Sequence, residues 1–181
     1  PDEFERKTFY DWLAYKLHHP ETRSYAVVMI AEGYGTGRSW IGRLIGKMLQ
    51  GHTNKGTLAQ LCGKGTSAEM NYNSWMVECQ FLIVEEAKDN SLSREDFWDS
   101  YETFKQNVEP GDAGEPIRIN DKYGRIRNEV VYLNPLIFTN HPDALVLEVD
   151  DRRVFCIENP SEKKDYKYYD RLTGALQTQE P

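Results

Sequence analysis

Apolar residues recur along the chain with two spacings, one typical of helices and one of buried strands. Between positions 9 and 17 the spacing is helical, which predicts an amphipathic helix over roughly the first 18 residues, ending before Pro20. The apolar face of this helix is formed by Phe9, Trp12, Leu13 and Leu17. The continuous apolar run SYAVVMIAE that comes next predicts a strand buried on both faces.

A glycine-rich stretch, EGYGTGRSW, follows this strand at residues 32–40. A second apolar stripe begins at Trp40 and closes at Gly51, with the spacing of a helix that a glycine terminates. The stripe continues through Ile41, Leu44, Ile45, Met48 and Leu49. The sequence therefore predicts a strand, a glycine loop and a helix in that order.

The next part of the chain alternates between loops and short strands. Residues 52–66 are rich in Gly, Lys and Thr, which predicts a loop with room for one short strand. A hairpin that turns around Asp121 to Gly124 is predicted by IRINDKYGRIRNEVVYL. Three further apolar runs predict buried strands: CQFLIVEE, which ends in two acids, LIFTN and RVFCIE.

One more buried helix is predicted between the acidic strand and the hairpin. Ser93 and Asp96 resemble a capping box, and the helix that they would begin turns Phe97, Tyr101 and Phe104 inward. The turn-rich stretch EPGDAGEP separates this helix from the hairpin. The charged tail from residue 161 predicts either a surface helix or a frayed end.

Strands that alternate with helices favour an α/β fold with a mainly parallel sheet covered on both faces. We expect a single domain over residues 1–181, with an N-terminal helix at 1–20 and a charged tail at 161–181. In such a sheet a functional site lies at the carboxyl ends of the strands.

Composition and charge narrow the class of protein. A hydrophobic fraction of 39% is enough for a folded core, and no run of 18 apolar residues offers a membrane span, so we expect a soluble, cytoplasmic protein. Three widely spaced cysteines argue against a zinc site or a disulfide framework. The net charge of -7 excludes a generally basic surface, so only a local patch could bind nucleic acid. The chain begins without methionine or a secretory signal, and we expect it to belong to a longer protein.

The glycine loop has the composition of a phosphate-binding loop. Such a loop needs glycine because its backbone approaches the phosphates closely and directs N–H groups at them, at the start of a helix that favours anions. The pattern G-x-x-x-x-G-K-[ST] is met in part: Gly37 and Ser39 fit. Glu32 takes the first glycine position, and Arg38 replaces lysine. The alternative is a plain glycine turn between a strand and a helix.

Two strand ends carry polar residues that suit a phosphate site. Glu85 and Glu86 end the second buried strand, where one carboxylate would hold a metal and another would activate water. The alternative is that both acids simply extend into solvent. Asn140 ends LIFTN, where its neutral amide can orient water and contact a γ-phosphate. The alternative for Asn140 is an ordinary turn residue.

Arg152 and Arg153 precede the last predicted strand. An arginine beside a γ-phosphate stabilises the charge that spreads over the transferring group, and a neighbouring subunit can supply it. The alternative is a local salt bridge with Asp150 or Asp151.

Taken in chain order, these elements resemble the superfamily 3 helicase domain, an AAA+-like P-loop ATPase of phage and viral primase-helicase or primase-polymerase replication proteins. GYGTGRS is similar to the phosphate loop of that family, and FLIVEE to its acidic strand. LIFTNHPDAL is similar to its sensor and DDRRVF to its arginine motif, so the resemblance extends from about residue 24 to residue 158.

The resemblance implies ATP and Mg²⁺ as cofactors. Ser39 and Glu85 would hold the metal, Glu86 would activate water, and Asn140 would sense the γ-phosphate. Arg152 or Arg153 would reach into the site of a neighbouring subunit, within a ring that is expected to be a hexamer. The loop residues that would bind the nucleotide are Gly33, Gly35, Thr36, Gly37, Arg38, Ser39 and Trp40.

The resemblance also implies a DNA-binding β-hairpin before the sensor strand. Residues 117–128 are in that position, and their cations could contact the phosphates of single-stranded or forked DNA. The alternative is an ordinary exposed hairpin whose charges discourage edge pairing. The cations are Arg118, Lys122, Arg125 and Arg127.

Arg38 is the main departure from the family pattern, because a planar guanidinium does not reach phosphates with the geometry of a compact ammonium. The first hypothesis is an ATP-dependent DNA helicase or translocase domain of a phage-type replication protein, which works with other domains of that protein. A second is a DNA-loading or structural module that binds nucleotide and hydrolyses it weakly or not at all. A third is a P-loop kinase that acts on a small molecule.

Overall fold

The computed structural model describes residues 1–63, 72–85, 94–109, 116–121, 124–145, 147–148, 150–160 and 162–178. Several predicted features lie outside the described residues. They are the Ser93 capping box, the Phe97 side chain, most of the EPGDAGEP break, and the candidate site residues Glu86 and Lys122.

Within the described residues the chain forms five α-helices and seven strands. The helices are α1 (Glu3–His18), α2 (Arg38–Met48), α3 (Leu58–Leu61), α4 (Arg94–Val108) and α5 (Tyr166–Thr178). The strands are β1 (Ala26–Ile30), β2 (Thr53–Gly56), β3 (Phe81–Val84), β4 (Pro116–Ile119), β5 (Arg127–Val130), β6 (Asn134–Thr139) and β7 (Val154–Glu158).

Five strands form one sheet in the order β2-β3-β6-β1-β7, and every neighbouring pair in it is parallel. β1 is therefore flanked by two strands that come much later in the chain. Because all five strands run in one direction, their carboxyl ends meet at a single edge of the sheet. This confirms the predicted α/β class with a mainly parallel sheet.

Both faces of the sheet are covered by helices, as the continuous apolar strands require. On one face, Phe9 and Trp12 of α1 and Ile45 of α2 pack with alternate residues of β1, β3, β6 and β7. On the other face, α3 and α4 pack with the residues in between, and Tyr101 and Phe104 are the buried aromatic residues of α4. Burial on two faces explains why these strands show no alternation of polar and apolar residues.

The remaining two strands, β4 and β5, pair antiparallel as a separate hairpin. The N–H of Gly124 donates to the carbonyl of Asp121 at 3.1 Å, which closes the predicted turn. A Cβ at Gly124 would lie 2.5 Å from that of Asp121, so this position requires glycine. The hairpin is thus confirmed in the segment between β3 and β6, and its second strand ends at Val130, within the predicted stretch.

The first helix follows its sequence pattern closely. Asp2 and Glu5 form a reciprocal capping box at its start. Trp12 donates from its indole N–H to the Ser24 hydroxyl at 2.7 Å, and Lys16 donates to the Thr22 hydroxyl at 2.8 Å. Burial lowers the pKa of Lys16 to about 8, against the opposing effect of the Glu21 carboxylate.

Candidate functional site

The glycine loop leaves the carboxyl end of β1 and leads into α2. Gly35 and Gly37 have φ angles of 74° and 93°, in the left-handed region that favours glycine. Gly37 is the N-cap of α2 and offers no side chain to cap it. The first N–H groups of a helix have no acceptor within the helix, so this loop presents donors to an external anion.

A pocket of about 320 Å³ opens beside the loop. The Thr36 hydroxyl oxygen is buried here and has no hydrogen-bond partner among the described residues. A buried polar atom of this kind costs free energy unless another group satisfies it. The pocket is lined by Gly35, Thr36, Gly37, Arg38, Ser39, Trp40, Arg43, Tyr169, Leu172 and Thr173.

Arg38 is turned into the protein between β1 and β6. Its guanidinium donates to the carbonyl of Met29 at 3.2 Å, to the carbonyl of Thr139 and to Oδ1 of Asn140. All three acceptors are neutral, and no carboxylate of the described residues pairs with Arg38. Burial lowers the pKa of this guanidinium from its ordinary value. The side chain therefore places a buried positive charge without a counterion directly behind the loop.

Asn140 is brought to this site by the pairing of β1 with β6, which sets Ile30 opposite Thr139. The structure therefore places the predicted sensor residue and the glycine loop at the same edge of the sheet. Because Oδ1 of Asn140 accepts from Arg38, the amide nitrogen is the group left for another acceptor. Two predicted site residues, Arg38 and Asn140, are in direct contact.

Glu85 follows β3 at that same edge, since Val84 pairs with Ile137 of β6. Its carboxylate is exposed and forms an ion pair with Lys55 at 3.2 Å. Exposed pairs of this kind contribute little to stability, so a metal could replace Lys55 at small cost. Ser39 and Trp40 lie in the first turn of α2, Ser39 exposed and Trp40 half-buried, and Gly33 is half-buried in the loop.

The predicted pair of arginines lies elsewhere. Arg152 and Arg153 precede β7, whose first residue pairs with Ala26 at the start of β1. They are therefore at the amino edge of the sheet, opposite the glycine loop. This location excludes an approach to the loop of their own chain.

The two arginines differ in their surroundings. Arg152 is 79% exposed and contacts Glu109 only at 3.6 Å. Arg153 is largely buried, donates to Glu109, and lies 3.5 Å from Asp151. The hydrogen bond to Glu109 raises the pKa of Arg153 above its ordinary value. Arg153 thus fits the predicted alternative, a local salt bridge with Asp151, and Arg152 is the more accessible of the two.

Asp151 holds this turn in place. Its carboxylate accepts from the Tyr101 hydroxyl and, at 2.9 Å, from the backbone N–H of Arg153. Burial alone would raise the pKa of Asp151, but these hydrogen bonds and the Arg153 charge hold it below its usual value. The preceding residue, Asp150, has a left-handed backbone with φ of 66°.

The cations of the hairpin also differ from one another. Arg118 and Arg125 are exposed to solvent. Arg127 forms ion pairs with Asp121 and, at 2.8 Å, with Glu129. Arg118 and Arg125 are therefore available to an external phosphate, whereas Arg127 is committed to the hairpin itself.

Residues 29–153 match a family described as a family of unknown function, DUF5906. The chain belongs to this family. The DUF5906 region contains the glycine loop, both candidate acidic residues, the hairpin, Asn140 and the paired arginines. A search of curated proteins finds no match.

Solved structures share the fold of this DUF5906 chain. An apo structure of the NrS-1 C-terminal region has a TM-score of 0.74 at 20% identity, and the "A form" apo structure of that region has a TM-score of 0.71 at 18% identity. Each covers 97% of this chain, but this chain spans only 41% and 40% of theirs. At this identity the similarity establishes the fold.

The described residues of this DUF5906 chain hold no group of three or more His, Cys, Asp and Glu that could bind a metal. They also contain no helix that is long and apolar enough to cross a membrane.

Sequence reasoning missed the contribution of the C-terminal segment to the pocket. Tyr169, Leu172 and Thr173 of α5 line it, and Lys163 lies against the glycine loop. All four lie in the predicted charged tail, outside the DUF5906 match. The only available signal was the amphipathic spacing of Tyr169, Leu172 and Leu176.

Proposed function

We propose that this domain binds ATP with Mg²⁺ and acts as an ATP-dependent DNA helicase or translocase domain in phage-type DNA replication. The proposal rests on one observation above all. A glycine cradle, in which the buried Thr36 hydroxyl has no partner among the described residues, leaves β1 of the parallel sheet beside Asn140, which follows the neighbouring strand β6. Crevices at the carboxyl ends of such strands are the usual ligand sites of this fold class.

The residues present fit a nucleotide. The left-handed Gly35 and Gly37 allow the backbone to approach phosphates, and the Thr36 hydroxyl would find there the partner it lacks among the described residues. Ser39 and Glu85 would hold Mg²⁺ through their oxygen atoms. ATP supplies the phosphoryl-transfer free energy, and Glu86 would orient and deprotonate the attacking water.

Arg38 would act from behind the loop. Its buried charge faces only neutral partners, so an anion in the cradle would supply the missing counter-charge. Its hydrogen bond also fixes the Asn140 amide, with the nitrogen available to the γ-phosphate. In this role Arg38 stabilises the nucleotide site and orients the sensor, even where its guanidinium does not touch the phosphates.

The same contacts favour a second candidate function. A guanidinium that stays with Met29, Thr139 and Asn140 leaves the loop without the usual lysine at the transferring phosphate. The domain would then bind ATP but hydrolyse it weakly or not at all, as a DNA-loading or structural module.

The proposed partners are DNA and further copies of this chain. Arg118 and Arg125 would bind the phosphates of single-stranded or forked DNA from the hairpin. Arg152, at the opposite sheet edge from the glycine loop, would complete the site of a neighbouring subunit within a ring, for which six subunits are expected from the superfamily 3 resemblance. Other domains of a longer replication protein would belong to the same polypeptide.

Calorimetric titration with Mg²⁺-ATP, followed by ATPase assays with single-stranded DNA, tests both candidates. We expect Asn140→Ala to weaken binding and Glu86→Gln to keep binding while losing at least about tenfold in turnover. Asn128→Ala, an exposed asparagine on β5, is the matched control for Asn140→Ala. Turnover by the wild type no faster than by Glu86→Gln would reject the helicase in favour of the weakly hydrolysing module. No ATP binding would reject both.

A further inference from the structure

The C-terminal segment, defined here as residues 162–178, lines part of the glycine-loop pocket. It is fixed to α2 by two hydrogen bonds. The Trp40 indole donates to the carbonyl of Leu172 at 2.7 Å, and the Lys47 ammonium donates to the carbonyl of Leu176. These bonds hold α5 alongside the helix that begins at the loop, so the segment has a defined position relative to the pocket.

Lys163 of this segment lies directly on the loop. A Cβ built on Gly35 would be 3.5 Å from Cε of Lys163 and 3.7 Å from its Nζ. The lysine stem therefore packs against the bare backbone of Gly35, and its ammonium lies beside this part of the loop. No salt bridge within the described part of the chain occupies this ammonium.

Tyr169 holds Lys163 at this place. The Tyr169 hydroxyl accepts from the backbone N–H of Lys164 at 3.1 Å, which ties the residues before α5 to the helix. The ring of Tyr169 also packs on the loop, because a Cβ on Gly37 would lie 3.5 Å from its Cε1. One side chain thus contacts the cradle and fixes the backbone that presents Lys163.

Arg38 and Lys163 lie on two sides of the same loop. Arg38 is engaged by three acceptors at the edge of the sheet, whereas Lys163 packs on Gly35, one of the residues that line the pocket. A lysine ammonium is a compact charge on a flexible stem, the form of cation that phosphate loops ordinarily provide. A lysine therefore lies next to a lining residue of the pocket, although it comes from the other end of the chain.

We propose that Lys163 is a phosphate-binding residue of the glycine-loop pocket and that Tyr169 is its positioning residue. The inference rests on the proposed nucleotide binding and identifies the cation that Arg38 does not provide. The ligand class is a nucleoside triphosphate or any polyphosphate, since the ammonium would contact phosphate oxygens and not the base.

The test is calorimetric binding of Mg²⁺-ATP and of inorganic tripolyphosphate to purified variants. Lys163→Met keeps an unbranched stem on Gly35 and removes the charge, and it should weaken binding of both ligands by about tenfold. Lys164→Met is the matched control, because only the backbone of Lys164 is used, and it should bind within about twofold of the wild type. Equal affinities for Lys163→Met and Lys164→Met would overturn the inference and leave the proposed function intact.

A double-mutant cycle tests the positioning role of Tyr169. Tyr169→Phe should weaken tripolyphosphate binding about threefold in the wild type and have no effect in the Lys163→Met background, because the hydroxyl acts through Lys163. Tyr168→Phe should change neither background. An equal loss in both backgrounds would overturn the positioning role. A wild type that binds neither ligand would overturn the inference together with the proposed function.

Discussion

The charged guanidinium of Arg38 lies inside the protein, where it donates hydrogen bonds to three backbone and side-chain oxygen atoms. Two of these acceptors are carbonyls, from Met29 and Thr139, and the third is the Asn140 amide. Met29 belongs to β1 and Thr139 to the adjacent β6, and Asn140 directly follows β6. The side chain is therefore a cross-strand tie at the site edge of the sheet as well as a source of positive potential.

Arg38→Lys should destabilise the domain by about 1–3 kcal/mol, since one ammonium cannot span acceptors arranged for a planar fork and leaves at least one of them unmet. Chemical denaturation at neutral pH measures the effect. Arg43→Lys is the control, because Arg43 is an exposed residue one turn further along the same helix. Equal unfolding free energies for the two variants would show that the buried contacts of Arg38 contribute nothing to stability.

The direction of this side chain could not be predicted from sequence. The pattern correctly indicated that Arg38 opens a helix after a glycine loop. Whether a long side chain at that point turns outward or inward depends on the acceptors beneath it. Two of the three come from Thr139 and Asn140, 101 and 102 residues away in the chain.

At the scale of elements, the periodicity of apolar residues predicted the elements whose signal lies within a long, continuous stretch of sequence. α1, β1 and α2 have the expected order and nearly the expected bounds, because each has a continuous apolar face. The four-residue helix α3 was missed, since its only local signal is the capping box of Thr57 and Gln60. The docking of α5 was also missed, because the Trp40 to Leu172 bond joins residues 132 positions apart.

The hairpin shows that a basic segment is not uniformly available to a ligand. Single-stranded DNA affinity should fall in Arg118→Ala and Arg125→Ala, and less in Arg127→Ala, because Arg127 is neutralised by Asp121 and Glu129. Fluorescence anisotropy over a salt series provides the measurement. Each lost phosphate contact should reduce the slope of log K against log salt by about 0.7. Equal slopes for all three variants and the wild type would exclude the hairpin as the DNA-binding element.

At the scale of the whole molecule, the parallel sheet separates the two halves of the proposed catalytic site. The glycine loop and Asn140 lie at its carboxyl edge, and Arg152 lies at its amino edge. A single chain therefore cannot bring its own Arg152 to its own loop. If Arg152 completes the proposed site, it must come from a second chain.

Two inactive variants should restore activity when they are mixed. A Ser39→Ala subunit has a defective loop but keeps Arg152, and an Arg152→Ala subunit lacks the arginine but keeps an intact loop. Where the loop of an Arg152→Ala subunit faces Arg152 of a Ser39→Ala subunit, the two form one complete site. ATPase assays of the separate and mixed variants of the assembled protein, with single-stranded DNA, test this. No recovery on mixing would contradict a site shared between subunits.

Arg153→Ala serves as the comparison for Arg152→Ala. It should lower the unfolding free energy by about 1–2 kcal/mol, because Glu109 and the buried Asp151 lose a hydrogen-bonded partner. Arg152→Ala should leave stability unchanged, since Arg152 is largely exposed.

Because all five strands of the sheet run in one direction, the domain has two different ends, one with the glycine loop and one with Arg152. This difference determines how copies of the domain could pair in the proposed assembly. A contact that joins the loop end of one copy to the arginine end of another could occur twice in an antiparallel two-fold pair, or it could repeat head-to-tail along a row of copies. A row of subunits always leaves one loop without an arginine and one arginine without a loop. Closing such a row into a ring joins these two ends, so every loop then has an arginine and no new kind of contact is needed.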